Sequence, residues 1–288
     1  MSGAAGPLKL CVNGNLGSGK STVAKKLAQK LGLDYFATGG IQRALAEKLG
    51  ITILELNQRA ETDKSIDTLL DAQFEPIAAA HERIVFDSRL AWNFVPNAVK
   101  VRLLCHPATS AARIFADRDS SRGVEAFESV DAAQASIAQR RASERKRFQD
   151  LYRIDIEDLG NYDLVLQTDL VAPDHVVAAM SEWLAGPRAS GALMLNPRMV
   201  FPLKQEVGSD GARLKVVQVG DGFYAATGAE PLAAAAKTGR SWIEAERLET
   251  AALDGVSAER YVRAHFDAAT LEAWEAEQGF SFSVPADL

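Results

Sequence analysis

A chain of 288 residues exceeds one average domain and suits two. With 47% hydrophobic and 24% charged residues it can bury a core without staples, and its net charge of −6 excludes nucleic-acid binding by bulk positive charge. The two cysteines, Cys11 and Cys105, lie in apolar runs and read as buried, reduced thiols rather than a disulfide framework. With no leader-like start and no apolar run of membrane-spanning length, a cytoplasmic protein with no membrane contact is expected.

Leu8–Asn13 is a short apolar run before a glycine and reads as a buried strand. From Ser21 to Leu31, Val23, Leu27 and Leu31 share one helical face, Lys25, Lys26 and Lys30 lie off it, and Gly32 closes the helix. Asp34–Ala37 reads as a strand and Ile41–Leu49 as a helix stopped by Gly50. Ile53–Arg59 and Ser65–Ala80 read as two more helices. Arg83–Asp87 and Lys100–Cys105 are strands, Thr109–Asp117 and Asp131–Tyr152 helices, Tyr162–Gln167 a strand and His175–Leu184 a helix. Strand and helix alternate throughout. That predicts an α/β fold for residues 1–187, a three-layer parallel sheet with helices on both faces.

The run from Gly186 to Gly191 has linker composition, with 188–191 as the linker itself. Residues 192–288 then read as a separate small α+β domain. Leu214–Val219 and Gly222–Ala226 are strands joined around Asp221-Gly222, a hairpin signal. A helix over Pro231–Lys237, a strand over Trp242–Leu248 and one long helix from Ser257 to Gln278 complete it.

The chemistry is concentrated near the start. Gly14-Asn15-Leu16-Gly17-Ser18-Gly19-Lys20-Ser21 fits a phosphate-binding loop: glycine, four residues, then Gly-Lys-Ser, after a strand and before a helix. Glycines let consecutive N–H groups face one anion, and the helix adds its positive end. Lys20 supplies a mobile charge for the β- and γ-phosphates of ATP, and the Ser21 hydroxyl helps hold Mg²⁺. Asp87 ends an apolar strand, where a carboxylate can reach the same metal. Arg140 and Arg147 stand seven residues apart on one helix face and can clamp phosphate, with Arg113, Arg118 and Arg122 just upstream. Phosphoryl transfer asks mainly for such positive charge around its transition state, which makes Lys20, Asp87, Arg140 and Arg147 the candidate catalytic set.

These stretches, taken in order, resemble the cytidylate kinases, most closely the short archaeal type. The resemblance runs over Gly14–Thr22, Ala37-Thr-Gly-Gly-Ile-Gln-Arg43, the acidic Asp63–Asp71, Ile84-Val-Phe-Asp-Ser-Arg-Leu-Ala91, Arg140-Arg-Ala-Ser-Glu-Arg-Lys-Arg147 and Tyr152–Leu159 with Tyr162–Val165. It implies that Gly14–Thr22, with Asn15, Leu16, Ser18 and Thr22, binds ATP. It implies an acceptor site at Thr38, Arg43 and Arg89, and a transfer role for Arg140 and Arg147. A lid from Arg118 to Val130, carrying Arg118 and Arg122, and an acceptor-binding insertion over 44–80 also follow from it. Two departures stand out: the family's usual Glu-Gly-Arg is Asp87-Ser88-Arg89 here, and Asn15-Leu16 replaces small or proline residues. The C-terminal part is similar to ParB/sulfiredoxin-like domains over Val216–Gly228, Leu232-Ala-Ala-Ala, Gly239 and Ile243–Arg247. The arginine expected after the glycine is missing from Gly228-Ala229-Glu230-Pro231, which implies a retained fold without its own catalysis.

The leading expectation is therefore an ATP- and Mg²⁺-dependent phosphotransferase acting on a pyrimidine nucleotide, CMP or dCMP. Two alternatives stand beside it. One is a kinase of 5-hydroxymethylpyrimidines in DNA, serving phage hypermodification, because the appended domain has no evident purpose in a housekeeping enzyme. The other is a nucleotide-responsive binding module.

Overall fold

The computed structural model describes residues 6–117, 127–188, 190–204, 213–253 and 255–286. The chain forms two compact units, Met1–Val165 with Ala172–Gly191, and Leu166–Val171 with Ala192–Leu288. Among the described residues no helix is long and apolar enough to cross a membrane.

The first unit runs β1 (Leu8–Gly14), α1 (Lys20–Leu31), β2 (Asp34–Ala37), α2 (Thr38–Leu49), α3 (Ile53–Ala60), α4 (Ser65–Asp71), α5 (Phe74–Ala80), β3 (Arg83–Asp87), α6 (Ala91–Phe94), β4 (Val99–Leu104), α7 (Pro107–Ala116), α8 (Val130–Tyr152), β5 (Leu164–Gln167) and α9 (Pro173–Ala185). The last two residues of β5 fall with the second unit. Strand order is β2-β3-β1-β4-β5. β1 lies between β3 and β4 and is parallel to both, and β2 is parallel to β3. The α/β class expected from alternation is the class found. Leu10, Val12, Val85, Phe86, Val101 and Leu103 are almost fully buried, as strands covered on both faces require. The chain leaves β1 toward β2 on one side and later crosses to β4 on the other. Ligands of such sheets bind at the strands' C-terminal ends beside that reversal.

The helix expected over Ser65–Ala80 is two helices, α4 and α5, separated at Ala72-Gln73. Pro76 gives the reason. Inside a continuous helix it would delete a backbone hydrogen bond, whereas it is the third residue of α5, where N–H groups are unpaired anyway.

The second unit contains β6 (Ala192–Leu195), β7 (Val200–Pro202), β8 (Leu214–Val219), β9 (Gly222–Thr227), α10 (Ala229–Lys237), β10 (Ile243–Arg247), α11 (Ala258–His265) and α12 (Ala268–Gln278), with strand order β6-β10-β8-β9-β7. β8 and β9 are the antiparallel hairpin expected at Asp221-Gly222. The short strands β6 and β7 carry no alternation that the sequence reading detected. Gly228, with φ +82°, starts α10; a Cβ there would lie 2.7 Å from Arg213 O and Leu214 Cα. The single terminal helix expected from Ser257 to Gln278 is broken after His265. Asp267 caps α12 by accepting from Thr270 N at 2.8 Å and pairs with Lys204 at 2.6 Å. The break turns Phe266 against the rings of Phe201 and Tyr224. A cavity of about 500 Å³ opens within this unit, lined in part by Lys204, Ala229, Asp267, Trp274 and Glu277.

Candidate active site

The phosphate-binding loop spans the gap between β1 and α1. Gly17 has φ +81°, and a Cβ on it would lie 2.8 Å from Ser110 of α7, so only glycine allows this approach. Leu16 packs on Ala111, Ile114, Ala133 and Ile137, which ties the loop to α7 and α8. Asn15 O accepts from Ser18 N at 3.1 Å, and Asn15 Oδ1 accepts from Arg102 at 3.4 Å. The Asn15-Leu16 departure thus has a structural account, one residue bracing the turn and the other anchoring it. α1 has no side-chain cap and no acidic residue in its first turn. Its positive end is left for an anion. Thr22 follows within the first turn of that helix.

Lys20 and Asp87, predicted as partners around one ligand, form an ion pair. Tyr35 donates from its hydroxyl to the other Asp87 oxygen at 2.7 Å and is hydrogen-bonded in turn to Ser21. Burial, then the positive charge of Arg89, push the Lys20 ammonium down to about 7, against the pull of Glu144. The hydroxyl of Ser21 and the carboxylate of Asp87 share Tyr35 as a neighbour, so two hard oxygen donors are brought to one place. They fit Mg²⁺ completed by phosphate oxygens and water. Ser88 of the Asp87-Ser88-Arg89 departure is buried, and its Oγ accepts from Leu90 N at 3.3 Å, shaping the turn that presents Arg89.

Arg89 and Arg140 meet at Glu144, a residue the sequence reading did not single out. Glu144 Oε2 lies 2.5 Å from Arg89 Nε, and Oε1 lies 3.0 Å from Arg140 Nε. Burial acts to raise the Glu144 carboxyl, but Arg89 and then Arg140 outweigh it and hold the group below the ordinary glutamate range. Arg89 itself is pushed down to about 10 by burial, with Glu144 opposing and Arg140 adding to the shift. Lys20 feels the fields of Arg89, Arg140 and Arg43, so these four cations converge. Thr38 is the first residue of α2, and the Arg43 guanidinium folds back toward Gly39 one turn away.

The backbone beneath Arg89 is also fixed. Asn13 at the end of β1 donates to Arg89 O at 2.7 Å and to the Tyr162 hydroxyl at 2.6 Å, and Trp92 donates to the same Arg89 carbonyl at 3.1 Å. Arg102, buried in β4, donates to Ile156 O at 2.9 Å and to Asn13 Oδ1 at 3.3 Å. The sequence signals were present: a charge inside the apolar run of β4, and Glu144 at i+4 from Arg140.

Arg147 is placed differently from Arg140. It is 4% exposed, and its guanidinium donates to both oxygens of Asp67 at 3.0 and 3.1 Å and to Asn57 Oδ1 at 3.2 Å. It fastens α8 to α3 and α4 and is not brought into the group around Glu144, although Arg89 and Glu144 feel its charge. Nearby, Asp71 accepts from the Tyr152 hydroxyl. Burial pushes the Asp71 carboxyl up to about 6, with Tyr152 opposing and Asp67 adding. Arg113 donates to Gly17 O at 3.4 Å behind the loop. Arg118 and Arg122, expected on a lid, lie outside the described residues.

A glycine loop between a parallel strand and a helix, a lysine paired to a strand-end carboxylate and converging arginines define a P-loop phosphotransferase. Residues 9–170 match the cytidylate kinase-like family. The chain belongs to that family and is an ATP-dependent kinase. A cytidylate kinase of Natronomonas pharaonis is 40% identical over 172 residues, spanning 59% of this chain and 86% of the relative. One from Sulfurisphaera tokodaii is 34% identical over 176 residues, spanning 61% and 94%. Among solved structures, shikimate kinase from Bacteroides thetaiotaomicron overlays with a TM-score of 0.43 at 17% identity, covering 62% of this chain and 99% of that one.

Proposed function

We propose that the first unit moves the γ-phosphoryl group of ATP to the phosphate of a pyrimidine nucleotide, CMP or dCMP. The observation that carries this reading is the convergence of Lys20, Arg43, Arg89 and Arg140 at the C-terminal ends of β1 and β3, beside the starts of α1 and α2. The loop from Gly14 to Thr22 cradles the donor phosphates, and Lys20 leaves Asp87 to meet them. Ser21 and Asp87 would hold Mg²⁺, which would offset charge on the donor phosphates. Arg43 and Arg89, with Thr38, hold the acceptor phosphate, and Arg140 meets the transferring group. An acceptor phosphate oxygen bonds to the γ-phosphorus as the bond to the β-γ bridging oxygen breaks, and ADP leaves. Little covalent chemistry falls to the protein; positioning and charge do the work.

The cytidylate acceptor rests on the relatives from Natronomonas pharaonis and Sulfurisphaera tokodaii, both cytidylate kinases. A hydroxymethylated base in DNA and a nucleotide-responsive module draw no support from them. Arg147 enters this reading as a positioning group for α8, with a transfer role only after release from Asp67. For the second unit we infer a ParB/sulfiredoxin-like domain without catalysis, supported by the hairpin, Gly228 and α10 in that order. A cytoplasmic location fits the buried thiols of Cys11 and Cys105, which form no disulfide among the described residues.

The test is transfer of label from γ-labelled ATP with Mg²⁺ to a panel of nucleoside monophosphates and, in parallel, to DNA carrying 5-hydroxymethylpyrimidines. Label on CMP or dCMP is expected, and Lys20→Ala should lower it by about 10³-fold or more with the fold intact. Label on the modified DNA alone would refute the acceptor, and near-normal turnover by Lys20→Ala would refute the loop.

A further inference from the structure

Arg102 is a cation inside the sheet. It stands on β4 in register with Asn13 of β1 and is 2% exposed. A charge taken out of water ordinarily needs an opposite charge beside it. Arg147 has Asp67 for that purpose, but Arg102 has no carboxylate partner among the described residues. Asp155 and Glu157, on either side of Ile156, pair with Arg145 and Arg141 instead. The hydrogen bonds of Arg102 go to three neutral oxygens. One Nη donates to Ile156 O at 2.9 Å and to Asn13 Oδ1 at 3.3 Å, and the other donates to Asn15 Oδ1 at 3.4 Å. These partners belong to two parts of the site. Asn15 lies in the loop for the donor phosphates, and Asn13 donates from Nδ2 to Arg89 O at 2.7 Å. Because Asn13 gives its oxygen to Arg102, its nitrogen is left for the Arg89 carbonyl; the opposite sense of the amide would set oxygen against oxygen. Arg89 also feels the charge of Arg102.

We propose that Arg102 is a positioning residue for the transfer, a buried cation without a counter-ion whose two Nη atoms tie the donor loop, through Asn15, to the backbone of Arg89, through Asn13. The tie sets the spacing at which donor and acceptor phosphates meet. The proposal deepens the phosphotransferase reading and rests on it for its kinetic arm. A lone buried charge destabilises the fold, so the residue serves alignment at the expense of stability. Methionine keeps an unbranched apolar stem without the fork, so Arg102→Met removes the tie with little loss of packing.

The experiment has a kinetic and a substrate-free arm. Label transfer to CMP by the wild-type protein comes first, and its failure would count against the acceptor reading alone. With transfer established, Arg102→Met should lower kcat by about 10²-fold and leave KM for ATP and for CMP within about three-fold, because each half of the site keeps its own binding groups. In an Asn13→Ala background the same Arg102→Met change should cost less than about ten-fold, because the link to Arg89 is already gone. Equal losses in both backgrounds, a KM that rises as far as kcat falls, or a kcat within about three-fold of wild type would overturn the proposal. The second arm needs no substrate. Asn13→Asp gives Arg102 the carboxylate it lacks and should raise the thermal midpoint of the ligand-free protein by about 3 °C or more. With Arg102→Met in place, the same Asn13→Asp change strands a buried carboxylate and should lower the midpoint instead. Should Arg102→Met fail to fold, Asn13→Asp alone still decides, since a midpoint at or below that of wild type would show that Arg102 is not an unpaired cation.

Discussion

The two ends of the Arg140–Arg147 stretch of α8 use the same residue type for opposite purposes. At one end a single carboxylate, Glu144, serves two arginines, and the side chain of Arg140 stays partly exposed. Two turns on, Arg147 has Asp67 to itself with Asn57 beside it, and its charge is spent inside the protein. The ratio of carboxylates to guanidiniums, more than the spacing of the arginines, separates a ligand-binding cation from a structural one.

The largest expected effect tests that division directly. Arg147→Ala should strip Asp67 of its partner and cost about 3–5 kcal/mol in stability, read by urea denaturation. Arg140→Ala should cost under about 1 kcal/mol in stability yet lower kcat about 10²-fold, since Glu144 keeps Arg89. If both variants lose stability equally, the two ends are not different in kind.

Acid titration sharpens the comparison, because the two ends respond with opposite sign. Asp71, beside the Arg147 end, has a folded value of about 6 against an ordinary 3.8, so the folded protein keeps its proton between those values. That stabilisation is complete below 3.8 and is lost as pH rises through 6. Glu144 is held low, so its contribution is present above its ordinary 4.5 and is lost on acidification. Denaturation midpoints measured from pH 4 to 7 should rise with pH more steeply in Asp71→Asn than in wild type. An unchanged slope would show that Asp71 titrates normally.

The smallest effect concerns the open end. Lys20 sits at about 7 in the ligand-free protein, and a polyphosphate should return it to its charged form. Nucleotide binding at pH 8 should therefore take up a fraction of a proton, up to about one, measurable by calorimetry in buffers of different ionisation enthalpy. Proton release would contradict the Lys20 assignment.

Much of this site was legible in the sequence, because its parts are local. The loop from Gly14 to Ser21 and the strand-end Asp87 carry their chemistry in consecutive residues beside apolar runs. The pairing of Arg147 with Asp67 was not legible, for a physical reason. Helical spacing places Arg140 and Arg147 on one face but says nothing of Asp67, eighty residues away in sequence and paired only through tertiary structure. Glu144 and Arg102 were not singled out because burial of a charge depends on partners elsewhere in the chain. The breaks at Ala72-Gln73 and Phe266-Asp267 were written in Pro76 and in the Asp267–Thr270 cap, signals outweighed by long apolar periodicity.

The carboxylates of the resting site have one more consequence, in the protein's response to salt. Lys20, Arg89 and Arg140 face Asp87 and Glu144. The cleft carries its own counter-ions, fixed to the chain, and has less need to gather them from solution. A nucleotide that enters exchanges one anion for another, so its affinity should decline with added salt more gently than three unpaired cations would dictate. A polyelectrolyte surface sheds mobile ions when it binds; this one rearranges ions it already owns.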